Sequence, residues 1–309
     1  MKRLKRLKRR APSTRTIDRA PSLLTMDALA SNMAGLSTEP PGSSTWTESE
    51  LAAMRETLAL LKGTSPMPDP KLLAATVLCT KCKPADAAKK IQDWAKVSRD
   101  DWQVELSTAG LRLNIADASS EEWTAVAGQI DNSYAACGGD AEGRGIFWIR
   151  GGHIAKEAIE SGAAMRAGLL FWLACHADLS TMRSGVSMVI DNSKTASADM
   201  RRSGIEGKLH KGFQSFPLRP QCIRIIVTSS AQRILVNAVI KAATVFSRQK
   251  VLRRILFVTA YVDVAAALPL ASMPKYAGGD MDEVTSAWVL RRLDAFPALP
   301  GDLTGAAFV

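Results

Sequence analysis

The sequence predicts an α/β fold: a mostly parallel sheet with flanking helices, preceded by a small N-terminal helical bundle. Three observations carry this. The stretch from about residue 133 alternates short, continuous apolar runs with longer helical patterns, as buried parallel strands and their crossovers do. The stretch before it shows only helical spacing. The composition, 47% hydrophobic and 23% charged over 309 residues, is that of a folded globular protein with a sizeable core.

Residues 1–45 are basic, then rich in Ser, Thr and Pro, and read as a disordered tail. TWTESELAAMRETLALL is a capped amphipathic helix: Thr47 precedes Glu48 and Glu50, and Leu51, Met54, Leu58 and Leu61 recur at helical spacing. MPDPKLLAATVLCTKCKP gives a second helix, stopped by Pro84. ADAAKKIQDWAKVSRDDW gives a third that starts near that proline. Three or four short helices in all make a small bundle over 46–132. The α/β domain follows over 133–285, with a C-terminal extension at 286–309.

Within that domain GIFWIR (145–150), GVSMVIDNS (185–193), CIRIIVTSS (222–230) and RRILFVTAY (253–261) read as strands. One long helix is expected over 154–178, another ends at Pro217, a third spans 231–249 and a short one lies at 263–270. Residues Ile255 to Pro274 are weakly charged, but Asp263 and Pro269 interrupt them, so no membrane span is expected.

The net charge of +10 is lopsided. Residues 1–45 carry nine basic groups against three acidic ones, leaving only +4 on the rest. A basic tail on a near-neutral body reads as an electrostatic anchor, through Lys2, Arg3, Lys5, Arg6, Lys8, Arg9 and Arg10, to a membrane surface; no nucleic acid is expected. The same segment also suits a nuclear or organelle signal. Five cysteines spread over a large chain fit a reducing compartment, so the expected setting is cytoplasmic and peripheral to membranes.

Catalytic signals are thin. His153, His176 and His210 form no metal-ligand spacing, and the CTKC pair Cys79 and Cys82 lacks the second half of a zinc site. CGGDAEGRG precedes a strand, where a phosphate loop should follow one, and reads as a joining turn. GxSxG is absent. Asp191 ends the second strand, an address where ligands of α/β sheets gather, yet a lone carboxylate there more often caps a loop amide. No cofactor is expected, and the chain reads as a non-enzyme. The helix at 231–249 is apolar on more than one face, through Ile234, Leu235, Val236, Val239, Ile240, Val245 and Phe246; it is either packed on both sides or a lid that meets lipid.

The order of several motifs resembles the CRAL-TRIO lipid-binding domain. GRGIFWIRGG stands where that family opens its sheet, and Asp191 of GVSMVIDNS stands at its strand-ending aspartate. Phe216-Pro217 matches its "YP", Phe246, Lys250 and Ile255 match "PFL…K…KI", and Pro274, Gly278 and Gly279 of MPKYAGGD match its terminal "LP-x-x-x-GG". DPKLLAATVLCTKCKPADAAKKI is similar to the helical domain that precedes it. The resemblance implies an apolar pocket and a lipid ligand, held by Ile190, Phe213, Phe216, Ile225, Val227, Ile234, Leu235, Val239, Ile240, Val245, Phe246 and Phe257, with 231–249 as the gate. Leu218 and Thr244 replace the glutamate and lysine of inositol-lipid binders, and Thr228 to Ser230 replace "NAP", so headgroup recognition of that kind is not implied. Lipid binding and transfer is the leading expectation. A non-transferring interaction scaffold with a degenerate pocket comes next, and an enzyme centred on Asp191 last.

Overall fold

The computed structural model describes residues 45–63, 67–102, 104–107, 121–150, 156–193, 217–234, 236–237 and 253–304. The basic start, the helix expected before Pro217 with Phe213 and Phe216, and the part of 231–249 that holds Leu235, Val239, Ile240, Val245 and Phe246 lie outside the described residues.

Among the described residues four helices precede the sheet: α1 (Glu48–Leu60), α2 (Pro70–Cys79), α3 (Pro84–Trp102) and α4 (Glu121–Ser133). A capping box starts α1. The Thr47 hydroxyl accepts from the Glu50 amide at 3.2 Å, and the Thr47 amide donates to the Glu50 carboxylate at 2.9 Å. Asp69 caps α2, with Pro70 at its first position, where the missing amide hydrogen is not needed. The turn that ends α2 is closed by bonds from the Lys81 amide to Leu78 and from the Cys82 amide to Val77, both 2.9 Å. Lys81 and Cys82 adopt φ of 60° and 53°, a conformation that this turn normally assigns to glycine.

β1 (Ile146–Arg150), β2 (Val186–Asp191), β3 (Pro220–Ile226) and β4 (Ile255–Val258) form one sheet in the order β1-β2-β3-β4, every neighbouring pair parallel. All four lie within or beside the expected runs. β3 starts two residues early and stops at Ile226, because Ser229 caps the next helix: its hydroxyl accepts from the Gln232 amide at 3.2 Å.

The single helix expected over 154–178 is two, α5 (Lys156–Glu160) and α6 (Ala163–Cys175). The break is at Gly162, which has a φ of +75°, and a Cβ there would lie 2.6 Å from the Trp102 carbonyl oxygen. α7 (Leu179–Ser184), α8 (Tyr261–Ala265) and α9 (Thr285–Asp294) are further described helices. Apart from half-buried Arg166, every residue of α6 is buried, which explains a sequence that is apolar around the whole helix. Phe171 of α6 stacks on Tyr134 and meets Phe147 of β1 and Trp288 of α9. The helices before the sheet therefore share one continuous core with one of its faces. Glu50 of α1 and Arg183 of α7 tie the two parts together through a two-point ion pair at 2.7 and 2.9 Å. A separate cluster, with Trp148, Val189, Ile226, Val264, Leu268 and Met273, covers the other face. Among the described residues no helix is long and apolar enough to cross a membrane.

Candidate functional site

Strand register decides what each face of the sheet can do. Phe147, Met188, Ile223 and Ile255 align across the four strands, and two residues on Ile149, Ile190, Ile225 and Phe257 align in the same way. Side chains two apart point to one side, so these eight make an unbroken apolar face. Val227 continues it, and its amide donates to Val258 O at 3.0 Å. Burial thins toward β4 along the first row, whereas in the second Ile190 on β2 and Phe257 on β4 are both less covered than Ile225 between them. Phe147, Met188 and Ile225 are buried, whereas Ile190, Ile255 and Phe257 are half-buried.

Of the residues that sequence reasoning assigned to a pocket, Ile190, Ile225, Val227 and Phe257 are brought together on this face. Ile234 is not among them. It sits on the helical turn at 230–234 and is 71% exposed, while its neighbours Gln232 and Val236 point inward. Gln232 locks that turn to the strand ends. Its carbonyl oxygen accepts from the Thr228 amide at 2.9 Å and the Thr228 hydroxyl at 3.1 Å, and its NH₂ donates to Asn192 O at 3.1 Å. The Arg233 guanidinium lies over the Phe257 ring, 5.7 Å from its centroid.

The opposite face turns polar at the C-terminal ends of β1 and β2, where Arg150 and Asp191 stand side by side. Asp191 accepts from the Ser193 amide at 3.0 Å, which is the loop-capping role expected of it. Its other oxygen accepts from the Tyr261 hydroxyl at 2.8 Å and the Tyr276 hydroxyl at 3.4 Å. Burial, together with the nearby Asp191 charge, raises the pKa of both tyrosines, so they remain donors. Arg150 covers the Tyr276 ring at 5.0 Å. Sequence reasoning missed both tyrosines, which enter from 70 and 85 residues away. Gly278, at φ +87°, turns the chain behind Tyr276, and a Cβ on Gly279 would sit 2.2 Å from Met273 O. The MPKYAGGD glycines thus have a local reason: they let the segment that carries Tyr276 close onto the sheet.

No protein-family model matches the chain, and no curated protein matches it.

Burial and hydrogen bonding quiet several other reactive side chains. Among the described residues, no group of three or more His, Cys, Asp or Glu side chains is placed to hold a metal ion. Burial pushes the Cys79 thiol up to about 12 and raises Cys82 as well, so neither is a ready thiolate. His176 is fully buried, its Nδ1 against Trp172 O at 2.8 Å, and burial pushes its pKa down to about 4. It is a neutral core histidine. In the turn before β1, Asp140 accepts from the Glu142 and Arg144 amides, the Arg144 guanidinium and the Ser187 hydroxyl. Burial opposes its charge, but those bonds hold its pKa below the usual carboxylate range.

Proposed function

We propose that the chain binds a hydrophobic small molecule, a lipid, against the apolar face of β2, β3 and β4, and transfers or presents it at membranes in the manner of the CRAL-TRIO domains it resembles. The observation that carries this reading is the in-register row Ile190–Ile225–Phe257, with Val227 beside it, which is wholly apolar and half-buried at its β4 side. The β4 end is both apolar and incompletely covered, and a lipid chain laid there would gain about 0.8 kcal/mol per buried CH₂. Further support comes from where the resembling motifs fall: a tight turn into β1, an aspartate that ends β2 and a double-glycine turn that closes on that aspartate.

Exchange would be a binding cycle in which no bond is broken. The basic start, with Lys2, Arg3, Lys5, Arg6, Lys8, Arg9 and Arg10, would hold the protein near anionic lipid at about 1 kcal/mol per charge. Such a protein would work at cytoplasmic membrane surfaces, or in an organelle or the nucleus if that start is a signal. The second reading, a scaffold whose pocket is filled in, is favoured by one specific observation: Ile225 and Val227 are already 3% and 2% exposed.

Extraction of fluorescent lipid from vesicles tests the proposal. The full chain should remove lipid, and Phe257→Asp should suppress removal by placing a carboxylate on the half-open end of the row. No extraction by the unaltered protein would leave the scaffold reading in its place.

A further inference from the structure

We infer that the outer edge of β4 is a self-association surface, at which a second copy of this chain pairs antiparallel and continues the sheet. The two ends of the sheet are treated differently. At β1, Tyr134 bridges to Ile149 and the Ala135 amide donates to Trp148 O at 3.3 Å. At β4, no described residue pairs with the outer side. The ladder to β3 uses Arg254 O, which accepts from the Ile223 amide at 2.8 Å, and Val258 O, which accepts from the Val227 amide. Even-numbered positions therefore turn inward, and Ile255 and Phe257 direct their amide and carbonyl groups outward. Such an edge is a template for another strand. Leu256 beside it is 51% exposed.

Charge makes the edge self-complementary. At its C-terminal end Asp263 accepts from the Thr259 amide at 3.1 Å, the Ala260 amide at 3.1 Å and the Thr259 hydroxyl at 3.2 Å, which fixes its carboxylate beside Thr259. At the N-terminal end Arg253 is exposed and makes no ion pair among the described residues. In a two-fold antiparallel pairing with Ile255 opposite Phe257 of the second copy, Arg253 falls opposite Thr259, where that carboxylate sits. The symmetry repeats the pair at the other end and sets Leu256 against Leu256. A parallel pairing would bring like ends together and lose both ion pairs. A second copy read antiparallel is the occupant that the charges favour.

Sedimentation velocity on the full chain over the micromolar range tests this surface. A reversible dimer weakened by salt is expected. Arg253→Glu, which sets two like charges face to face at each end, should weaken it about 100-fold. Ile255→Pro removes an outward amide hydrogen at a position where an edge strand tolerates proline, and should abolish it. Circular dichroism confirms that each variant is folded, and the two substitutions stand in for one another if either is not. A monomer throughout the range, or a dimer that neither substitution alters, overturns the inference. Either result leaves the lipid-binding reading untouched, because that reading concerns a face of the sheet and not its edge.

Discussion

Acidification should destabilise the protein through His176 before most of its carboxylates begin to titrate. The imidazole has no exposed surface, its Nδ1 is engaged with Trp172 O, and its Nε2 finds no hydrogen-bond partner among the described residues. Trp172 packs on the ring at 4.6 Å between centroids, and Trp94 meets Trp172 edge-on. Asp178 is the charge that favours protonation, but desolvation outweighs it and pushes the pKa down to about 4 from 6.5. The sign follows directly. An unfolded chain takes up the proton near pH 6.5 while the folded one resists until about pH 4, so stability is complete above 6.5 and drains away as the pH falls through that window. Resisting the proton across that window is worth about 3 kcal/mol. Urea unfolding at a series of pH values measures it. The unaltered protein should lose about that much between pH 7 and pH 4, and His176→Phe should flatten this part of the curve. An unchanged slope in His176→Phe would refute the reasoning, since it would mean that the imidazole titrates near its ordinary value in the fold.

Other outcomes follow from single residues. Lys81→Gly should raise stability by about 1 kcal/mol in thermal or urea unfolding, because glycine accepts the left-handed conformation that lysine holds under strain. Arg183→Ala should cost about 2 kcal/mol, below the range for a fully buried pair because Arg183 is itself half-buried, since it strands the buried Glu50 carboxylate at the junction of α1 and α7. Burial opposes the Glu50 charge, but the bonds from Arg183 and Thr47 hold its pKa low. Its contribution is therefore present above the normal carboxylate range and lost only as the pH falls below it, a step that Arg183→Ala should move upward. Tyr261→Phe should cost about 1–2 kcal/mol by removing the shorter hydroxyl bond to Asp191, and it should loosen the 261–281 segment in hydrogen exchange while leaving β1 protected.

Much of the fold is legible from residue pattern because parallel strands buried on both faces are written as continuous apolar runs. IFWIR and VSMVID stand out for that reason, CIRII and ILFV carry the same pattern although β3 and β4 are only partly covered, and the Thr47–Glu50 cap and Pro84 mark helix boundaries just as plainly. What pattern does not carry is the consequence of a single close approach. Gly162 looks like one more small residue in an apolar helix until Trp102, from another helix, comes within reach of its missing side chain. The site divides in the same way. Ile190, Ile225, Val227 and Phe257 share a face by the period-two rule, and that much follows from strand positions alone. The tyrosines on Asp191 do not: a carboxylate at a strand end names no partner, and both partners arrive after two further strands. Ile234 shows a limit of composition, because an apolar helix pattern does not say which of its faces turns inward.

Native mass spectrometry of the full chain, purified without detergent, tests lipid binding most directly. A co-purified mass of lipid size, released on unfolding and absent from Ile225→Asp, is expected. An unaltered protein that carries no such mass, and takes none up from vesicles, would contradict lipid binding.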